Sequence, residues 1–417
     1  MKRIALLGNM NNNLFNLCRF LLDRGFFPTL YIFPYDSTHF LPEADAYDDS
    51  YKAYVKNLSW GNPYELGKVS RDEIRDELSA YDFIIGCGTA PAFLEKAGLT
   101  LDMFTPYGSD LYHYPFFNIL RPAKLFRYLN SFFTKREQIE SSASKSSNWG
   151  GYFSFVYKQR QGIRKSKNIA VLSSGVDIYG KSLKRLNFKN NYYRFSVPMI
   201  YTGQYNLQSI SEYYSKSAWF EKFQKIREQS DFLIFTNTRH CWKYEEDPES
   251  FKGNDRLYKG FSEFIKNYSS KVNIITFAYG ADYPETKKLC EELKIADRVH
   301  WFPVLPRKEL LVGMSLSDIV VGNLSDASWS TYGVVYESMA LSKPIMHHRN
   351  DSLYPKETLY PMINAYTPDM VAKSLIHYAT RKDELKKIGE GAHRWFIEES
   401  INKPVQQIVD LINNKKS

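Results

Sequence analysis

The chain has 417 residues, 43% of them hydrophobic, and a formal net charge of +9. That is apolar material for a large core and, at this length, for two domains rather than one, while no run approaches the ~18 apolar residues of a membrane-spanning helix. The four cysteines, Cys18, Cys87, Cys241 and Cys290, form no CxxC pair and keep no histidine spacing, so a zinc site is not expected and reduced thiols in a cytoplasmic protein are.

The opening RIALLGN is too short an apolar stretch for a signal peptide and reads as a first strand. Helical FNLCRFLLDRG follows, then the β-rich runs FPTLYIFPYD, YDFIIGCGT, LDMFTPYGSD and NIAVLSSG. This alternation predicts an α/β, doubly wound parallel sheet with flanking helices. Ligands of such sheets bind beyond the carboxyl ends of strands, so a site is expected in the loops there. After the first strand, GNMNNNLFN offers Gly8, Asn11, Asn12 and Asn13. Gly and Asn tolerate left-handed backbone, and a helix start leaves N–H groups facing outward, which makes these four candidates to face a ligand. GCGTAP begins like a dinucleotide fingerprint but carries Pro91 where the third glycine belongs, and there is no P-loop, which disfavours a dehydrogenase or kinase. PYGSD supplies Tyr107, Ser109 and Asp110, with His113 three residues on. Asp110 is a candidate catalytic carboxylate there, with helix capping as the structural alternative.

The positive charge is local: residues 117–190 hold fifteen Lys/Arg against three acids. Within that region ILRPAKLFRYLNSFFTKR (residues 119–136) sets Leu125, Phe126, Leu129, Phe132 and Phe133 on one helical arc flanked by Arg121, Lys124 and Arg127. A helix lying on an anionic membrane surface has this pattern, and so does a core-facing helix with a solvated basic side. No nucleic-acid-binding module accompanies the charge, so no nucleic acid partner is expected. The serine-rich SSASKSSNWGG, Ser141 to Gly151, is predicted to be a loop.

Helical periodicity lapses around Pro198 to Gln208, and the alternation then restarts. FLIFTNTR, VNIITFAYG, RVHWFPV, DIVVGNLSD and KPIMHHR read as strands, with FSEFIKNYSS, ETKKLCEELKI, RKELLVGMS and GVVYESMAL as helices between them. Two doubly wound domains facing across a cleft therefore fit, residues 1–200 and 201–385, with a helical tail, 386–417, broken at Pro404 and packing back on the first domain. In the second half Arg239 lies just past a strand and Lys252 at a helix start. Two cations near a helix N-terminus suit a diphosphate. The absence of an Asp-x-Asp pair with hydrophobic flanks means that the protein, rather than a metal, is expected to supply the positive charge. Glu337 stands alone in the apolar run GVVYESMALSKPI and needs either a protein partner or a ligand.

The spacing Arg239…Lys252-Gly253 with KGNDRLYKGF resembles the R…K-G-x-D-x-L segment of GT-B glycosyltransferases of the family-4 type, and GVVYESMALSKPI resembles that group's G-x-V-x-x-E-A-M-A-x-G-x-P signature. AYGAD (Ala278–Asp282) and VHWFPVLPRKEL fall in the same order. The resemblance implies the GT-B fold and transfer of a sugar from a nucleoside diphosphate-sugar, with retention of configuration and no metal or other cofactor. It implies that Arg239 and Lys252 hold the donor diphosphate and stabilise its departure, and that Glu337 meets ribose hydroxyls. The main chain at Val304 and Leu305 would meet the base, while Ser330, Thr331, Gly333 and the first loop (Gly8, Asn11, Asn12) would line the donor. Asn13, Tyr107, Ser109, Asp110 and His113 would fall on the acceptor side, the acceptor being a glycan or lipid-linked precursor at the cytoplasmic membrane face. The chain departs from the group at Trp329, which stands eight residues before Glu337 where a second Glu is usual, so that either Asp326 substitutes for it or a less hydroxylated donor sugar packs on Trp329, and at Tyr107 where many relatives have His. A nucleotide-sugar epimerase and a non-catalytic nucleotide-sugar-binding subunit are the alternatives.

Overall fold

The computed structural model describes residues 2–116, 149–171, 178–243, 251–268, 271–325 and 333–415. The basic amphipathic segment, most of the serine-rich patch, Asp326, Trp329, Ser330 and Thr331 lie outside the described residues. A first sheet is built from β1 (Arg3–Leu7), β2 (Phe27–Ile32), β3 (Val55–Asn57), β4 (Phe83–Gly86), β5 (Met103–Phe104), β6 (Asn168–Ala170) and β7 (Asn191–Tyr193), in the order β3-β2-β1-β4-β5-β6-β7. The second holds β8 (Phe232–Phe235), β9 (Val272–Phe277), β10 (Val299–Phe302), β11 (Ile319–Val321), β12 (Ile345–His347) and β13 (Ile363–Asn364), in the order β10-β9-β8-β11-β12-β13. Every pairing is parallel. Parallel strands are covered on both faces, which is why the central ones read as unbroken apolar runs such as IALL and FLIF. Among the described residues no helix is long and apolar enough to cross a membrane.

The stretch between the sheets is buried rather than a free linker. Ile200 and Tyr205 have no exposed surface, and Gln204 is fastened to the first lobe: its Oε1 accepts from Arg19 Nη1 at 2.6 Å and its Nε2 donates to the Asp45 carbonyl at 2.8 Å. One continuous apolar cluster runs from Ile4, Leu6 and Leu30 through Ile200 and Tyr205 to Phe235 and Val335, so the two sheets share a core at the base of the crevice.

The helix expected to break at Pro404 runs on without a break. Between the helices Lys382–Trp395 and Lys403–Asn414 lies a wide π-type turn, Phe396–Asn402, in which Lys403 N–H donates to the carbonyl of Glu398 five residues back. A proline ring clashes with the carbonyl four residues before it, and the wider turn relieves that clash. The last helix buries Val405, Ile408 and Ile412, and Lys2 Nζ donates to the Ile412 carbonyl at 2.7 Å. Lys415 pairs with Asp102 at 2.8 Å, and Asp102 also takes Lys167 at 2.9 Å. The chain therefore ends on the first lobe. A second difference concerns Trp149–Gly151, expected in a loop: they open the helix Trp149–Lys165. Gly162 on that helix lies so close to the helix Ala90–Ala97 that an added Cβ would sit 2.0 Å from the Pro91 carbonyl.

Two stability changes follow. Ile408→Ala is expected to lower the free energy of unfolding by about 2–5 kcal/mol in urea titration, because Ile408 is fully buried on the inner face of the returning helix. Ser342 has φ of 53° where the signature above has Gly; Ser342→Gly removes the left-handed penalty and is expected to raise stability by about 0.5–1 kcal/mol, read as a higher melting temperature.

Candidate functional site

Each sheet reverses strand order once, between β1 and β4 in the first lobe and between β8 and β11 in the second. A crevice opens at such a point because the two connections leave in opposite directions. In the second lobe the loop after β8 carries Thr236 to Cys241, and the segment before the helix Asn254–Asn267 lies against it: Lys252 N–H donates to the Cys241 carbonyl at 2.6 Å. The loop after β11 closes the other side, Leu324 N–H donating to the Lys252 carbonyl at 3.1 Å. Gly253 has φ of +63°, and a Cβ there would lie 3.1 Å from the Leu324 backbone, so only glycine permits this approach. Asn254 completes the junction, accepting from Cys241 N–H at 3.0 Å and donating to the Thr238 carbonyl at 3.3 Å. The backbone carrying Arg239 and that carrying Lys252 are thus brought to one end of the sheet, at its switch point.

The AYGAD segment fixes the same loop from the β9 side. Gly280, φ +109°, lies so close that an added Cβ would be 2.3 Å from the His240 carbonyl. His240 N–H donates to the Tyr279 carbonyl at 2.9 Å, and Asp282 N–H to the His240 carbonyl at 3.0 Å. The Asp282 carboxylate accepts from Trp242 and Lys243 N–H at 2.5 and 2.7 Å. His240 itself is buried, and desolvation pushes its imidazole down to about 4, so it is neutral at physiological pH. Tyr279 donates to the Asn237 carbonyl; burial, then the nearby Glu337 charge, push its phenol up to about 12 against the opposing pull of Arg239. Tyr279 therefore places Arg239 and Glu337 in one electrostatic neighbourhood.

Glu337 lies on the helix Gly333–Ala340 and is 6% exposed. Its protein partners could not be read from the sequence. Arg307 Nε donates to Oε1 at 3.2 Å and Asn237 Nδ2 to Oε2 at 2.8 Å. A carboxylate offers about four lone-pair directions, so two remain for hydroxyl donors. Arg307 also reaches across the crevice, its Nη1 donating to the carbonyls of Asn11 at 2.8 Å and Met199 at 3.1 Å, and lying 4.0 Å from Asp45. Gly333 starts the Glu337 helix, and a Cβ added there would lie 3.9 Å from the Met199 side chain. Val304 and Leu305 follow β10, the first exposed and the second buried.

In the first lobe the asparagine cluster folds the loop after β1 on itself. Asn11 and Asn12 take φ of 53° and 59°, and Gly8 +84° with Phe33 and Cys87 packed against it. Asn9, which sequence reasoning passed over, is the fastener. Its Oδ1 accepts from Phe15 N–H at 2.9 Å and its Nδ2 donates to Asn12 Oδ1 at 2.8 Å and to the Phe40 carbonyl at 2.5 Å. Asn12, expected to face a ligand, is fully buried in this loop, whereas Asn11 presents its carbonyl to Arg307.

Asp110 is also committed to the fold. It is fully buried, and its carboxylate accepts from Gly88 N–H at 2.9 Å, Gly108 N–H at 3.0 Å and Tyr107 N–H at 3.1 Å. Burial pushes its carboxyl up to about 7, against the pull of these backbone donors. The group read as a catalytic candidate thus ties the loops after β4 and β5 together. His113 is exposed, edge-on to Tyr112, and away from the cavity that Tyr107 and Ser109 line. That cavity, about 210 Å³, opens at the β1–β4 switch point among Gly8, Phe33, Tyr35, Asp36, Tyr107 and Ser109. Asn13 lines a smaller neighbouring cleft. Asp36 was not legible in the sequence because only the turn after β2 carries it there.

No family model matches the chain, and no curated protein matches it in sequence. Solved structures do resemble it over nearly their whole length. HepE of Anabaena, solved with UDP and glucose, is 13% identical with a TM-score of 0.58, the match covering 99% of this chain and 100% of that one. A glycosyltransferase from Rickettsia africae is 15% identical, TM-score 0.59, over 99% and 98%. The UDP-GlcNAc 2-epimerase of Neisseria meningitidis, bound to UDP-GlcNAc, is 10% identical, TM-score 0.57, over 99% and 100%. The fold is GT-B, as the motifs implied, and it is common to transferases and epimerases.

Arg307→Met leaves Glu337 buried without its cation and frees the carbonyls of Asn11 and Met199. It is expected to cost about 3–5 kcal/mol of stability, checked by urea titration of the variant beside the parent chain.

Proposed function

We propose that the protein is a glycosyltransferase, moving a sugar from a nucleoside diphosphate-sugar to an acceptor seated on the first lobe. The observation that carries this reading is the convergence at the β8–β11 switch point: the Arg239 and Lys252 segments lie side by side there, and Glu337 keeps two lone-pair directions beside them. In this reading the diphosphate is held by Arg239, Lys252 and the N–H groups that begin the Glu337 helix, and Glu337 accepts from the ribose. As the bond to the sugar breaks, negative charge grows on the diphosphate, and fixed cations and N–H donors in a crevice stabilise that charge more than they stabilise the ground state. Protein charge thus does the work without a bound metal. The resemblance supports retention of configuration. HepE is solved with UDP-glucose, which supports uridine nucleotides as the first donors to test.

An epimerase acts on the nucleotide-sugar alone and has no use for an acceptor. The first-lobe cavity at the β1–β4 switch point favours transfer over that alternative. The basic and aromatic composition of residues 119–136 supports a peripheral hold on an anionic cytoplasmic membrane face, where lipid-linked precursors of cell-surface glycans are assembled.

The test is turnover of a panel of nucleoside diphosphate-sugars with and without an acceptor extract. Transfer is expected only with acceptor; epimerised donor in its absence would favour the alternative. Lys252→Ala is expected to lower kcat about 100-fold or more, the usual cost of removing one stabilising charge or donor, while a rate within about twofold of the parent would remove Lys252 from the diphosphate site.

A further inference from the structure

The cavity on the first lobe has a chemical character that narrows what it can hold. Its volume, about 210 Å³, is below the ~300–1,000 Å³ of sites that enclose drug-sized ligands, so it suits a single ring rather than a nucleotide or a long chain. Its wall is aromatic, with Phe33, Tyr35, Tyr107 and Tyr114 among the lining residues. Phe33 and Tyr35 stack at 5.5 Å with their planes 8° apart. Tyr35 is held by its hydroxyl, 2.8 Å from Thr89 Oγ1, which in turn donates to the Gly61 carbonyl at 2.8 Å, while 38% of the residue stays exposed. A fixed and partly exposed ring is a platform for an apolar ligand face.

The polar members are equally selective. Asp36 lines the cavity and accepts from Phe33 N–H through Oδ2 at 3.1 Å, which leaves acceptor capacity for a ligand's hydroxyls. Burial pushes its carboxyl up to about 6, against backbone donors from Phe33 and Asn9, so it is chiefly ionised at neutral pH. Ser37 and Ser109 add hydroxyls. Among the described residues no Lys or Arg lines the space, and the Asp36 carboxylate repels a phosphate or carboxylate placed beside it. An acyl chain would cover the carboxylate and leave it unpaired. A neutral ring with hydroxyls on its edge and C–H groups on its faces satisfies both kinds of wall.

Resting on the transferase reading, we infer that this cavity is the seat of a neutral pyranose belonging to the acceptor, Asp36 accepting hydrogen bonds from its hydroxyls and the Tyr35 platform meeting its face. The acceptor is then itself a glycoside, and the protein extends a sugar chain that an earlier transferase has begun.

Binding of methyl hexopyranosides to the full chain, alone and with saturating UDP, tests this by ligand-observed NMR or calorimetry. At least one is expected to bind, and Asp36→Asn and Tyr35→Ala are each expected to weaken it tenfold or more while changing UDP affinity less than twofold. No binding by any hexopyranoside, or binding indifferent to both substitutions, overturns the inference. A third arm follows hydrolysis of the nucleotide-sugar without acceptor: if Asp36→Asn raises its KM tenfold, the cavity holds the donor's own sugar and the acceptor assignment fails. Failure of the transferase reading is separately visible, since it removes nucleotide binding and transfer from the parent chain whatever the glycosides do.

Discussion

A single guanidinium spans the crevice on which the architecture depends. Arg307 leaves the second lobe at the start of a helix, pairs with Glu337 beside it, and ends on main-chain carbonyls of Asn11 in the first lobe and Met199 in the connection. Its side chain is only 11% exposed, so the charge is mostly removed from water and is tolerable because its Nε and Nη1 groups are met. The same cation lies within reach of Asp45, whose other oxygen is taken by Arg19 at 2.7 Å. A chain of alternating charges therefore runs from the helix after β1 to the helix that bears Glu337. It ties the geometry of the second-lobe switch point to that of the loop after β1.

The rest of the crevice is shaped by close backbone approach. Gly8, Gly253 and Gly280 each stand where a Cβ would crowd a neighbour, and each sits beside a loop that follows a strand. Such loops bring carbonyls and N–H groups within hydrogen-bond reach of one another, and this brings the backbone segments of Arg239 and Lys252 to one end of the sheet without either being part of a regular element.

The parallel strands were readable because burial on both faces writes itself into the sequence as short apolar runs bounded by turns. β3, β7 and β13 were not, since each has only two or three residues and carries at least one exposed position, so no apolar run marks them. Trp149 to Gly151 misled for the opposite reason. Two glycines after serines read as loop, but a helix packed close along the helix Ala90–Ala97 gains enough from burial to override the propensity of its first turn. At the site, the glycine and asparagine cluster announced unusual backbone, and two of its asparagines adopt it. What those side chains then do was hidden, because Asn9 and Asp110 each make one hydrogen bond with a loop brought in from 31 and 22 residues away respectively.

Sequence alone determined the two doubly wound sheets, their order along the chain and the strand ends where ligands of such folds are bound, because periodicity, turn chemistry and apolar runs act over a few residues at a time. Tertiary structure decided which polar groups remain for a ligand. Glu337 shares its carboxylate with Arg307, Asn12 and Asp110 are used up inside the first lobe, and Asp36 comes to line a cavity that no local pattern marks. The physical reason is distance along the chain: Arg307 finds Asn11 across 296 residues, and a hydrogen bond of that span is visible only once both sheets are folded and face each other.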